Sequence, residues 1–196
     1  QMGDFAKKPL AEAVDKPKIT GDAVEHWLKY AAGIKTLVGA VNIQHSMNVV
    51  DAFLAKGVSA VHLDGKMRDE QRDEIVGGFE AGKYTVLSQV GMVNEGFDLP
   101  DVGCIVALRP SKSLTYWLQL LGRAARTAED KVHSIILDHA GNTKIHGFID
   151  DEREWSLFGA KKKKKSDTGE EVSAFPVRMC PACFKVIRPS PVCDGC

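Results

Sequence analysis

Two stretches of this sequence bring together residues that do chemistry. The first is LQLLGRAAR at 118–126, where Arg123 and Arg126 stand about one helical turn apart, next to Gly122 and behind an apolar run. Arginine carries a planar, permanently charged fork that suits phosphate oxygens, and a pair of them can neutralise charge developing on a γ-phosphate. The 26 basic residues of the chain are balanced by 26 acidic ones, so two guanidinium groups fixed at one spot call for an anion there. On a helix, Gln119, Gly122, Arg123 and Arg126 share one face, while Leu114, Leu118, Leu121 and Ala125 line another. The apolar stripe is expected to dock the helix and the polar stripe to point along a rim.

The second stretch is CPACFKVIRPSPVCDGC, with spacing C-x2-C-x9-C-x2-C and candidate ligands Cys180, Cys183, Cys193 and Cys196. Two such knuckles direct four thiolates to the corners of a tetrahedron, a donor set that suits Zn2+ and leaves no position for water, so the site is expected to be structural. Iron held as in rubredoxin is the alternative metal, and disulfides fit an intracellular chain poorly. A segment this short cannot build a core, so metal binding would supply its folding energy. Cys104 lies in an apolar run and reads as a buried side chain.

A third segment, GMVNEGFDLPDVG at 91–103, combines Gly91 and Gly96 with the amide of Asn94 and the carboxylate of Asp98 before Pro100 stops any short helix there. Glycine permits close backbone approach there, and Asp98 is placed to meet a ribose hydroxyl or a metal-bound water. The same pattern also makes an ordinary glycine-rich turn.

These segments need a frame. TLVGAV (36–41), VSAVHL (58–63), YTVLSQV (84–90), GCIVAL (103–108) and VHSIIL (132–137) are short, apolar and rich in β-branched residues, as strands covered on both faces must be. Helical patterns separate them. Residues 44–56 carry Met47, Val50, Phe53 and Leu54 before Gly57; residues 68–81 carry Ile75, Val76 and Phe79 before Gly82; a third helix over 113–125 opens on Ser113 as N-cap. An earlier helix, 20–32, starts at Thr20 or Asp22 and is expected on the outside. Alternating strands and helices imply an α/β fold with a parallel sheet and helices on both faces, whose ligands bind beyond the carboxyl ends of the strands. Chemistry is therefore expected after residues 41, 63, 90, 108 and 137, with the arginine stripe facing the same edge as the 91–103 loop.

At 196 residues the chain suffices for one such domain and a small appendage. It has no apolar run long enough to span a bilayer and no signal segment, so a cytoplasmic location is expected; Gln1 ahead of Met2 reads as a remnant of a tag. From Gly159 onward, Lys161 to Lys165, Arg178, Lys185 and Arg188 face only Asp167, Glu170, Glu171 and Asp194. Affinity for polyanions is thus locally presented. The lysine run, Lys185 and Arg188 either contact phosphates or simply keep a linker solvated. The expected division is a body over 1–158, a basic linker over 159–178 and a cysteine module over 179–196.

The motifs together carry a family resemblance. QLLGRAAR (119–126) resembles the Q-x-x-G-R-x-x-R signature, motif VI, of superfamily 2 helicases; GMVNEGFDLP (91–100) resembles motif V and TLVGAVNIQHSMNVVDAF (36–53) motif IV. HLDGKMRDEQRDEIVGGF (62–79) and RPSKSLTYWLQ (109–119) are likewise similar to the second, C-terminal RecA-like domain of DEAD/DEAH-type DNA helicases. LDHAGN (137–142), DDEREWSL (150–157) and the cysteine-rich tail resemble the RadD-like bacterial and phage members. The resemblance implies a RecA-like sheet with a C-terminal zinc ribbon. It also implies that Arg123 and Arg126 act as arginine fingers on ATP and that Gln119, beside Gly122, helps hold the nucleotide or link it to nucleic acid. Gly96 and Asp98 would approach the nucleotide and its ribose, and Asn94 would lie near the nucleic-acid backbone. The start of the motif IV helix, Asn42, Gln44 and His45, would present amide groups to a phosphate of the bound strand. Asp64 and Gly65 either touch nucleic acid or form a tight turn.

One departure limits the resemblance. A complete helicase needs a P-loop, G-x-x-x-x-G-K-[ST], and an acidic pair that holds Mg2+; AAGIKT (31–36) lacks the spacing and DDERE (150–154) follows no suitable strand. The expectation is a motor half, inactive alone, whose ATP and Mg2+ are shared with a P-loop domain in the same longer chain or in a split partner, acting on single-stranded or forked DNA, in repair or replication. The competing reading is a non-catalytic DNA-binding or regulatory module with a helicase-like fold.

Overall fold

The computed structural model describes residues 4–5, 10, 15–91, 101–129, 131–153, 155, 176–193 and 195–196. The chain divides into two compact units, Gln1–Ala140 and Gly141–Cys196.

The first unit runs α1 (Pro17–Tyr30), β1 (Thr36–Gly39), α2 (Ile43–Ala55), β2 (Ala60–Asp64), α3 (Asp69–Glu80), β3 (Val86–Val90), β4 (Cys104–Ala107), α4 (Leu114–Ala124) and β5 (Ile135–Asp138). All five strands are parallel, in the order β2-β3-β1-β4-β5. Side chains alternate across a strand, and here both sides are apolar. Leu37, Leu87 and Ile105 join Phe79 of α3 and Trp117, Leu120 and Leu121 of α4 on one face. Val38, Val86, Cys104 and Val106 join Trp27 of α1 and Val49 and Phe53 of α2 on the other. This two-sided burial explains why the strands read as continuous apolar runs. Burial also pushes the Cys104 thiol up to about 12, as befits a packing residue.

Three helices differ from the sequence expectation. α1 begins earlier, with Pro17 in the first helical position, where its missing N–H costs nothing. It is a core helix rather than an outer one, because Trp27 is buried edge-on against Phe53, 5.3 Å between centroids, and donates from Nε1 to Thr36 Oγ1 at 2.7 Å. In α2 the face is turned: Val49 and Phe53 are buried with the polar His45 and Ser46, whereas Met47 and Leu54 are 47% and 51% exposed. In α4 the docking stripe is Trp117, Leu120, Leu121 and Ala124; of the expected stripe only Leu121 is buried, and Ala125 is exposed. α4 lies close to the sheet because Gly39 leaves room for it: a Cβ there would stand 2.9 Å from Tyr116 Oη and 3.3 Å from Leu120 Cδ2.

The second unit contains the short helix α5 (Asn142–His146) and a hairpin of β6 (Arg178–Met179) and β7 (Val186–Ile187), paired antiparallel. No helix among the described residues is long and apolar enough to cross a membrane.

Candidate functional site

The arginine helix starts and ends at opposite edges of the sheet. α4 opens just beyond the carboxyl end of β4, where Ser113 caps it by accepting from the Tyr116 N–H at 3.2 Å. Its eleven residues cover about 16 Å back toward the amino edge. There Ser134, the residue before β5, donates to the Ala124 carbonyl at 2.5 Å, and Lys131 Nζ donates to the carbonyls of Ala124 and Arg126 at 2.6 and 2.7 Å. Arg123 and Arg126 therefore sit at the amino edge and not on the carboxyl rim expected from the sequence. The reason is topological: a helix joining two adjacent parallel strands must run antiparallel to them.

Three features mark the end of this helix. The orphan carbonyls of the last turn are taken by Lys131 and Ser134, which rigidifies the backbone from which Arg123 and Arg126 project. Lys131 is partly withdrawn from water, which lowers its pKa, while nearby Asp101 opposes that shift. Asp101 also pairs with Lys35, whose Nζ reaches the Glu80 carbonyl at 3.1 Å. Gly122 is the third feature. A glycine inside a helix costs about 1 kcal/mol relative to alanine, yet a Cβ added here meets nothing within 4 Å among the described residues. Packing among the described residues gives no reason for it. Gln119 is exposed on the same helix, and Arg123 and Arg126 are half-buried. Asn94, Gly96 and Asp98 lie outside the described residues.

The carboxyl edge carries the other set. Asn42 caps α2, its Oδ1 accepting from the His45 N–H at 2.7 Å. Gln44 is exposed and donates to Asn48 Oδ1 at 3.0 Å, and Asn48 in turn donates to the Asp15 carboxylate at 3.0 and 3.2 Å. The imidazole of His45 is not at the surface, as a capping or nucleic-acid-facing histidine would be. It is fully buried, accepts from the Val41 N–H at 3.4 Å, and has its pKa lowered by burial against the opposing pull of Asp15. Helix geometry turns that position toward the sheet, and only its backbone faces the strand ends.

Beneath this edge runs a hydrogen-bonded chain that the sequence did not announce. Asp64 Oδ2 and His62 Nε2 are 2.7 Å apart, His62 Nδ1 and Ser46 Oγ 2.7 Å, and Ser46 Oγ and Ser88 Oγ 2.7 Å. The order Asp–His–Ser imitates a hydrolase triad. Ser46 is fully buried, so no substrate reaches its oxygen, and the chain is a strut joining α2, β2 and β3. Burial pushes the Asp64 carboxyl up, but the Lys66 N–H at 2.6 Å and His62 outweigh it and hold the group below the usual range. The Met67 N–H donates to the Asp64 carbonyl at 3.3 Å, so Asp64 and Gly65 form the tight turn.

In the second unit the four thiols converge. All lie within 4.8 Å of one another, with Cys180 and Cys196 3.7 Å apart and Cys183 and Cys193 3.6 Å apart. Tetrahedral sulfurs about 2.3 Å from a zinc ion stand about 3.8 Å from each other, so the cluster fits such an ion, and none of the thiols is in a disulfide. The N–H groups of Cys183 and Ala182 pull Cys180 down to about 6, while hydrogen bonds to neighbouring thiols push Cys196 up to about 12. Phe184 holds a positive φ of 61° and is 63% exposed; that backbone costs a non-glycine residue about 1–2 kcal/mol. Arg188 is exposed but already paired: it donates to Asp150 and Asp151 at 2.7 and 2.9 Å and lies over Phe148, 4.8 Å from the centroid. The lysine run at 161–165 lies outside the described residues.

With both edges defined, the sequence profile described as helicase conserved C-terminal domain matches residues 21–128, more than half of the chain and the stretch that spans both. The chain belongs to this family. It carries the C-terminal RecA-like domain of a superfamily 2 helicase. Among relatives of the helicase C-terminal domain family, it is 33% identical over 181 residues to a 51.5 kDa protein of a Lactococcus phage (isolate 7-9), covering 92% of this chain and 39% of that protein. It is 34% identical over 133 residues to the putative mitochondrial ATP-dependent helicase irc3 of Schizosaccharomyces pombe, covering 67% of this chain and 22% of that one. This chain thus spans well under half the length of these relatives. The E. coli DEAD-box protein SrmB shares the fold, with a TM-score of 0.54 at 20% identity over 64% of this chain and 72% of the other.

Proposed function

We propose that this chain is the C-terminal motor half of an ATP-dependent DNA helicase or translocase, completing an ATP site whose P-loop and acidic pair lie on a companion domain. The observation that carries this reading is the end of α4: two arginines on a backbone pinned by Lys131 and Ser134, beside a helical glycine with open space over it. An arrangement of this kind suits an anion and a surface arriving from outside the chain.

In this reading the companion domain holds ATP and its Mg2+. Arg123 and Arg126 reach the γ-phosphate and stabilise the charge that spreads over its oxygens as the bond to the leaving group loosens. Gln119 contacts the nucleotide from the same helix, Gly122 admits the companion surface, and Gly96 and Asp98 approach the nucleotide and its ribose. Single-stranded or forked DNA runs along the carboxyl edge over Asn42, Gln44 and Asn94, with His45 supporting the turn from below. α4 spans the distance between the two edges and joins nucleotide state to strand position. Cys180, Cys183, Cys193 and Cys196 hold a structural Zn2+ that folds the knuckle.

The test is reconstitution. This chain alone hydrolyses no ATP above background; mixed with, or fused to, a P-loop-bearing helicase domain of its relatives, it gives DNA-stimulated hydrolysis. Equal hydrolysis by the companion domain with and without this chain would end the reading. Metal analysis checks the knuckle: about one zinc per chain, lost in Cys183→Ser.

A further inference from the structure

The β4–α4 turn holds a carboxylate delivered from the far end of the described chain. Asp4 Oδ2 accepts from Arg109 Nη2 at 2.8 Å and from Ser111 Oγ at 3.2 Å, and Asp4 Oδ1 accepts from the backbone N–H of Lys112 and of Phe5, each at 2.9 Å. A guanidinium, a hydroxyl and a backbone amide from four consecutive residues thus converge on one oxyanion. The turn is built to keep that shape. Arg109 lies over the Tyr116 ring, 4.4 Å from its centroid, and Ser111 is fully buried, with its Oγ also accepting from the Ser113 N–H at 3.0 Å. Burial pushes the Asp4 carboxyl up, but the Lys112 and Phe5 amides and Arg109 outweigh it and hold the group below the usual range. The surroundings therefore favour an anion.

Position points to the kind of anion. β1 and β4 are hydrogen-bonded neighbours, with Gly39 opposite Ala107, and the helices that follow them pack on opposite faces of the sheet. Such a switch point opens a crevice beyond the carboxyl ends of the two strands, and this is where ligands bind in open parallel sheets. Asn42 flanks the crevice after β1, and Arg109, Ser111 and Lys112 flank it after β4. Arg123 lies a helix length away at the other edge.

We infer that Arg109, Ser111 and the Lys112 amide form a cradle for a backbone phosphate of single-stranded nucleic acid, and that the Asp4 carboxylate occupies the cradle in the phosphate's place until a strand arrives. The inference rests on the reading that nucleic acid follows the carboxyl edge. Strand binding then exchanges one oxyanion for another and frees Asp4 and Phe5, whose ring Lys112 covers at 4.9 Å.

The test is anisotropy of a labelled single-stranded DNA oligonucleotide titrated with the whole chain across a salt series. Asp4→Asn is expected to tighten binding about tenfold, and Asp4→Asn/Arg109→Gln to cancel the gain and lower the log–log salt slope by about one phosphate contact. Asp4→Asn/Ser111→Ala cancels part of the gain and guards against a folding defect in the arginine variant. An Asp4→Asn affinity equal to wild type, or a gain that survives both cradle substitutions, overturns the inference. So does a gain for ADP in place of the oligonucleotide, since the phosphate would then be a nucleotide's. Asn42→Ala separates the two levels: if it weakens binding while Asp4→Asn changes nothing, only the cradle falls, and if neither matters, the carboxyl-edge reading falls as well.

Discussion

The two edges of this sheet are built on different principles. At the carboxyl edge the named polar side chains have partners within the chain: Asn42 caps α2, Asp64 is held by His62 and Lys66, and Arg109 holds Asp4. In the proposed reading, binding there is an exchange of partners on a preformed surface. At the amino edge Lys131 and Ser134 hold the backbone of α4, and Gly122 has no atom of the described residues within 4 Å of an added Cβ. In the proposed reading that edge is half a site, completed by a surface of the companion domain. The two edges, so read, serve different steps linked through α4, and a substitution at one edge should act chiefly on that edge's own readout.

The largest separation is expected from Arg123→Ala in the reconstituted motor. It should lower kcat by about a thousandfold, the scale of an arginine finger, while oligonucleotide affinity stays within about twofold. A matching loss of affinity would merge the two edges. Gly122→Ala sharpens the contrast because its effects have opposite signs. The added methyl has room and favours the helix by up to about 1 kcal/mol, seen as a higher Tm of this chain, yet it should cut reconstituted turnover about tenfold by obstructing the companion surface. A rise in Tm with full turnover would leave the glycine unexplained.

Asn42→Ala is the converse at the carboxyl edge. Loss of the cap destabilises the chain by about 1 kcal/mol, and oligonucleotide affinity should fall about fivefold with kcat unchanged at saturating DNA. The smallest effect is that of pH. Burial lowers the pKa of His45 and also of His139, which stacks on His26 at 5.1 Å. In the unfolded chain these side chains take up protons near pH 6.5, and in the folded chain they do so only at lower pH. Stability is therefore full above pH 6.5 and declines below it, so Tm should fall between pH 7.5 and 5.5. An unchanged or higher Tm at pH 5.5 would mean that both histidines charge freely in place.

Much of this architecture is legible in the sequence because apolar burial wrote it. All five strands, their helices and the Ser113 cap follow from runs of Val, Ile and Leu and from turn residues. What escaped was written in polar atoms. The buried face of α2 includes His45 and Ser46, so counting apolar positions selected Met47 and Leu54 instead. The strut of Asp64, His62, Ser46 and Ser88 joins residues up to 42 positions apart, and no spacing rule connects them. Asp4 and Arg109 are 105 residues apart, which hides the cradle equally well. Lys131 and Ser134 could have been found, since a lysine just beyond a helix often binds its last carbonyls. The edge at which Arg123 stands followed from chain direction once β4 and β5 were known to be parallel neighbours.

The most direct test compares wild type with Arg126→Ala in the reconstituted motor, measuring DNA-stimulated ATP hydrolysis and oligonucleotide binding on the same samples. Hydrolysis is expected to fall by about a thousandfold or more, at unchanged oligonucleotide affinity and unchanged Tm. Full hydrolysis by the variant, or a loss of hydrolysis that merely follows lost DNA binding, would contradict the assignment of the α4 arginines to an ATP site shared with a companion domain.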